Sequence, residues 1–134
     1  FVTTGYGAVV ALDAATGDEV WRAEASAPFH SAPTVVGGRV YAITNDSELI
    51  AFDAADGSLQ WSHQAIAEPA RILSAPSVAI ANESVIAPFA SGELVALLTA
   101  NGRRLWSDSI SRSSSLTSLS AINDIAGRPV VQNG

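Results

Sequence analysis

Short apolar runs and polar turns alternate along this chain, and the alternation has a long period. The run Ile50-Ala51-Phe52 leads into Asp53. A polar segment, Ala54-Ala55-Asp56-Gly57, follows, and Ser58-Leu59-Gln60-Trp61 returns to an alternating pattern. The same arrangement occupies Val10–Trp21 and Val95–Trp106. Its glycines, Gly17, Gly57 and Gly102, are 40 and 45 residues apart, and each of the three tryptophans stands four residues after one of them. Strand-length apolar runs recurring at this period predict stacked small sheets, as in a propeller or a solenoid.

Within the best-preserved unit the pattern predicts strands over Thr34–Val36, Arg39–Thr44, Glu48–Asp53 and Ser58–Gln64. The turns between them are Gly37-Gly38, Asn45-Asp46-Ser47 and Ala54–Gly57. Ile50 and Phe52 point to one face of their strand and Ala51 to the other, and Leu59 and Trp61 alternate on the return strand. Gly57 suits a position that needs positive φ, and the Asp53 carboxylate is placed to accept hydrogen bonds from turn amides. Pro33, Pro76 and Pro129 each precede a β-branched run, and proline is tolerated where a strand begins because no ladder donor is needed there. Four short strands per repeat of about 40 residues describe a propeller blade.

The predicted class is therefore all-β: a β-propeller arc of about three blades of four-stranded antiparallel sheet. Its pieces fall at residues 1–26, 31–65 and 74–110, with the first strand of a further blade at 128–134. Phe1–Thr4 aligns with Tyr41–Thr44, so the strands number 3 + 4 + 4 + 1, twelve in all. Each tryptophan is expected to be buried between its blade and the next. An open arc leaves blade faces uncovered and is expected to self-associate. The third unit departs from the pattern. Leu98 replaces the turn aspartate, and Pro88 is expected to mark the end of its strand.

Composition narrows the chemistry. The 134 residues carry a net charge of −6, and the seven basic residues are scattered arginines, which argues against a nucleic-acid partner. There is no cysteine, hence no disulfide framework and no thiolate metal site. No run approaches the roughly 18 apolar residues of a membrane helix. His30 and His63 lie in different inter-blade regions without acidic partners at metal spacing, and read as surface or interface residues. Asp13 and Asp53 occupy equivalent turns and read as structural; Glu48 and Glu93 share one solvated strand position. No serine sits in a Gly-x-Ser-x-Gly elbow. The Trp-to-Pro connections lengthen from 12 to 15 to 23 residues. In the last, Leu116, Leu119, Ile122 and Ile125 recur every third residue. That spacing suits either a serine-rich surface loop or an apolar stripe that binds a partner on one rim.

The motif Asp-x-x-x-Gly-x-x-x-Trp, with alanine two before the aspartate, resembles the tryptophan-docking repeat of the pyrroloquinoline-quinone (PQQ)-like eight-bladed propellers. Ala11-Asp13-Gly17-Trp21 and Ala51-Asp53-Gly57-Trp61 match in full, and Ala96, Gly102 and Trp106 match without the aspartate. Within that superfamily, Arg71 through Pro76, Ser91 through Ala96, Gly102 through Trp106 and Asp124-Ile125 ahead of Pro129 are similar to the BamB family of outer-membrane β-barrel assembly lipoproteins. This resemblance implies a non-catalytic scaffold without cofactor or metal, anchored by an N-terminal lipid to the periplasmic face of the outer membrane. It also implies docking on a periplasmic domain of BamA alongside other assembly subunits. The family contact surface maps to Arg71 and Asp124, with Leu116 and Leu119 offered as its apolar centre; a second family aspartate corresponds to Ala126. The same blades serve PQQ-dependent dehydrogenases, which pair them with vicinal cysteines and a calcium site, and extracytoplasmic ligand-sensing propellers. These remain the alternatives.

Overall fold

A computed structural model describes residues 1–29, 31–66, 77–109 and 129–131. Eleven strands are present among these residues, in three antiparallel sheets. The first blade contains β1 (Val2–Thr3), β2 (Ala8–Leu12) and β3 (Glu19–Glu24). The second contains β4 (Thr34–Val36), β5 (Arg39–Ile43), β6 (Glu48–Asp53) and β7 (Leu59–Gln64). The third contains β8 (Ala79–Ala81), β9 (Ser84–Pro88), β10 (Glu93–Leu98) and β11 (Arg104–Ser109). In every sheet, strands adjacent in sequence are adjacent in space, an up-and-down meander. The sequence expectation of a propeller arc is met, and the strand bounds of the second blade agree to within one residue.

Alternation along the middle strands builds two inter-sheet cores. Val40, Ala42, Ile50 and Phe52 point toward the first blade and pack with Val9, Ala11, Trp21 and Phe29. Tyr41, Ile43, Leu49 and Ala51 point the other way and pack with Val85, Val95, Leu97 and Phe89. The second blade is thus buried on both faces, which is why its middle strands read as nearly continuous apolar runs.

The turns follow from local chemistry. Gly37 and Gly38 both take positive φ, 60° and 75°, as a two-residue hairpin of the primed type requires. β9 ends at Pro88, as expected, and Phe89 N–H then bonds to Glu93 O to close the turn. One register differs from the alignment that sets Ser31-Ala32-Pro33-Thr34-Val35 against Ser74-Ala75-Pro76-Ser77-Val78. Ile80 pairs with Val85 as Val35 pairs with Val40, so Ala79, not Ser77, is the equivalent of Thr34. The ladder sets this register through the two-residue Asn82-Glu83 turn, whereas the proline in sequence marks only the approach to a strand. Pro129–Val131, the described part of the twelfth predicted strand, carries no strand assignment; it lines a cleft together with Thr34 and Val36 of β4 and Ala79 and Ile80 of β8.

Candidate functional site

The recurring feature that positions everything else is the turn between the third and fourth strands of each blade. Its backbone frame is the same in all three copies. Asp13 N–H bonds to Asp18 O at 2.8 Å and Gly17 N–H to Asp13 O at 2.9 Å; Asp53 with Ser58 and Gly57, and Leu98 with Arg103 and Gly102, repeat both bonds. Asp13 and Asp53 add side-chain acceptance: Asp13 Oδ1 takes the Ala15 and Thr16 amides, and Asp53 Oδ1 takes the Ala55 amide. The Thr16 amide, then the Ala15 amide, holds the Asp13 carboxyl below the ordinary aspartate range. Leu98 cannot do this, yet the frame survives, because the two backbone bonds and the Asn101 side chain, which accepts from Arg103 N–H at 3.0 Å, suffice. The aspartate is an aid to the turn, not its cause.

A bulge before each tryptophan was not evident from the sequence. Ala11 pairs with Trp21 and Leu12 with Glu19, leaving Val20 as the extra residue; Gln60 and Leu105 occupy the same place in the other blades. The bulge corrects the expectation for the return strand. Leu59 and Trp61, two apart in sequence, oppose adjacent residues Phe52 and Ala51 and therefore lie on opposite faces. Leu59 is 63% exposed while Trp61 is buried. The bulge also explains the motif alanine. Ala11, Ala51 and Ala96 stand directly opposite the three tryptophans and are buried, so a small side chain leaves room for the indole.

Each docked tryptophan then reaches the turn of the next blade. Trp21 Nε1–H donates to Ala54 O at 3.0 Å, and Trp61 Nε1–H donates to Thr99 O at 2.9 Å. The ring lies flat against the next glycine: a Cβ on Gly57 would stand 2.5 Å from Trp21 Cε3, and one on Gly102 would stand 2.6 Å from Trp61 Cε3. An aromatic side chain backs each indole, Phe1 on Trp21 at 5.6 Å and Tyr41 on Trp61 at 5.8 Å between ring centroids. Trp21 and Trp61 are each 9% exposed. Trp106, expected to be buried like them, is instead 46% exposed.

On the rim between the second and third blades, Ile66, Ser91, Glu93, Ser107, Asp108 and Ser109 line an open cleft of about 370 Å³. Ile66 opens the connection that carries Arg71, and Ser109 ends β11 ahead of the connection that carries Leu116, Leu119 and Asp124. Arg71, Leu116, Leu119, Ile122, Asp124 and Ile125 themselves lie outside the described residues, as does His30. His63, in β7, packs its ring 6.4 Å from Phe89. Burial and then the Arg104 charge hold the His63 imidazole below its ordinary value, against an opposing pull from Glu93. Among the described residues no three His, Asp or Glu side chains group as metal ligands would.

Repeated four-stranded meanders joined by indole-on-glycine docking define a segment of a PQQ-like β-propeller. The family model described as outer membrane protein assembly factor BamB matches residues 1–134, and the chain belongs to that family. BamB of Nitrosomonas eutropha is 33% identical over 125 residues, 93% of this chain and 30% of the relative; BamB of Burkholderia pseudomallei is 31% identical over 116 residues, 86% of this chain and 30% of the relative. The chain thus spans about a third of the length of these relatives. The crystal structure of BamB from Moraxella catarrhalis superposes with a TM-score of 0.89 at 24% identity, over 98% of this chain and 40% of that one. The quinohemoprotein alcohol dehydrogenase of Comamonas testosteroni superposes with a TM-score of 0.66 at 20% identity, over 80% of this chain and 19% of that one, a likeness of fold.

Proposed function

We propose that this chain is part of a non-catalytic scaffold in outer-membrane protein assembly, working at the periplasmic face of the outer membrane in a lipid-anchored protein. In this reading it binds a periplasmic domain of BamA alongside other subunits of the assembly machinery, and it carries no cofactor. The observation that carries the reading is the match of the whole chain to the BamB family model. The quinoprotein dehydrogenases share blades with it at lower identity and lower superposition scores.

The partner surface we propose is the rim on which the two longest inter-blade connections depart. Arg71 offers a planar guanidinium suited to a partner carboxylate, Asp124 contributes the opposite charge, and Leu116 and Leu119 form the desolvated centre. What supports this choice is that both connections leave from one cleft, whose lining includes Ile66 and Ser109. Were Arg71 only pairing with a surface carboxylate of its own chain, its loss would cost no more than about 0–1 kcal/mol and leave binding intact.

The test is capture of BamA by the protein that carries this chain, with and without Arg71→Glu. The reading predicts capture by the unaltered protein and its loss in the variant at an unchanged melting temperature. Unchanged capture would sink the surface assignment. Stoichiometric PQQ and calcium in the purified protein, with alcohol or sugar oxidation, would replace the scaffold by an enzyme.

A further inference from the structure

Of the three glycine turns, the third carries the side chain best suited to react with its own backbone. The residue before the turn glycine is Thr16 in the first blade, Asp56 in the second and Asn101 in the third. A carboxyl or carboxamide there can be attacked at Cγ by the nitrogen of the following residue, and glycine, having no side chain, obstructs that attack least. Thr16 offers no carbonyl carbon. Asp56 Oδ1 accepts the Ser58 amide at 2.8 Å, and that bond holds the carboxyl below the ordinary aspartate range, so it stays ionised and resists attack. Asn101 is neutral and exposed. In the folded chain its reacting groups are engaged elsewhere: Gly102 N–H donates to Leu98 O at 2.9 Å, and Asn101 Oδ1 accepts Arg103 N–H at 3.0 Å. The Trp61 indole closes on the same turn. A Cβ on Gly102 would stand 2.6 Å from Trp61 Cε3, and Trp61 Nε1–H donates to Thr99 O at 2.9 Å.

We propose that Asn101-Gly102 is a site of spontaneous deamidation, and that the Trp61 indole gates it. Cyclisation requires the Gly102 nitrogen to lose its proton and swing toward Asn101 Cγ, which breaks the Leu98 bond and moves the glycine on which the ring lies. When the indole lifts, hydroxide takes the Gly102 amide proton and the nitrogen attacks Asn101 Cγ. The Asn101 side-chain nitrogen takes a proton from water and leaves as ammonia, which restores the hydroxide. Water then opens the resulting succinimide at either carbonyl, giving aspartate or isoaspartate. The sum is one water consumed and one ammonia released. Isoaspartate lengthens the backbone by one methylene, so Gly102 does not return to its place under the ring and the contact between the second and third blades stays open. The inference stands apart from the assignment of BamA as partner.

The test is conversion at Asn101 in the protein that carries this chain, held at mildly alkaline pH and followed by mass spectrometry of the peptide containing that residue. The native protein should convert more slowly than the same protein in urea by about tenfold or more, since protection follows the population of the opened turn. Trp61→Ala should remove most of that protection while circular dichroism shows the sheets intact. Trp21→Ala releases the other indole, the one on Gly57, and should leave the rate at Asn101 unchanged. That comparison separates local release from general loosening. Isoaspartate-containing protein, isolated from the converted pool, should melt below both the parent and Asn101→Asp, which carries the same charge on an unaltered backbone. A native rate equal to that in urea, a Trp61→Ala rate equal to the parent's, or equal acceleration by the two tryptophan variants would overturn the gate. An isoaspartate form that melts with Asn101→Asp would overturn its consequence for the blade contact.

Discussion

At the scale of single residues, three glycines with the same φ perform different work. Gly17, Gly57 and Gly102 all sit near +70° to +80°, where an L side chain carries a left-handed penalty of about 1–2 kcal/mol. Only Gly57 and Gly102 also carry an indole. Gly57→Ala should therefore destabilise the chain by that penalty plus a steric cost, while Gly17→Ala should show the penalty alone. Denaturant unfolding of the two variants measures the difference directly, and equal losses would mean that the ring is not pressed on the glycine. The sequence already held much of this, since a fixed offset of four between glycine and tryptophan in all three copies is hard to obtain by chance. It concealed the bulge, because an extra residue in one strand leaves no compositional mark and shows only in the ladder. The bulge is what sends Leu59 outward, and what makes alanine the residue opposite each tryptophan.

At the scale of the strand and its turns, the third blade tolerates the greatest departures. Leu98 stands in for the aspartate and Pro88 closes β9, yet the pairing of β9, β10 and β11 repeats that of the second blade. Strand bounds were legible where turn residues are emphatic, as at Gly37-Gly38. They were less so before β8, where Pro76 suggested a start two residues too early. The inter-blade packing of β7 makes a pH prediction. His63 sits against Phe89 with Arg104 nearby, and both burial and that charge disfavour its protonated form. Its folded value lies below the ordinary one, about 6.5, so the unfolded chain binds the proton more readily. The stability this implies is fully present above about pH 6.5 and is lost as the pH falls from there through the folded value. Because the ring is partly exposed, the loss should be small. His63→Gln should flatten the slope of unfolding free energy between about pH 7 and 5, and an identical slope in parent and variant would exclude His63 as its source.

At the scale of the whole molecule, the chain is a stack of sheets joined in series, and each join depends on one indole. Class and blade count were legible from repeat period alone. The proposed partner surface rests on family resemblance alone, because charged and apolar residues in long connections carry no periodicity that fixes where they lie. What the described rim adds is the common origin of those connections, and a rigid stack is what would hold them in one place for a partner. The join itself is the claim on which the rest stands, and thermal unfolding of Trp61→Ala beside Trp106→Ala, at a concentration where the chain is monomeric, tests it most directly. Trp61 is buried against Thr99 and Gly102, so its truncation should cost about 3–5 kcal/mol; Trp106 is half exposed, so its truncation should cost at most about 0.5 kcal/mol. Equal losses in the two variants would contradict the account.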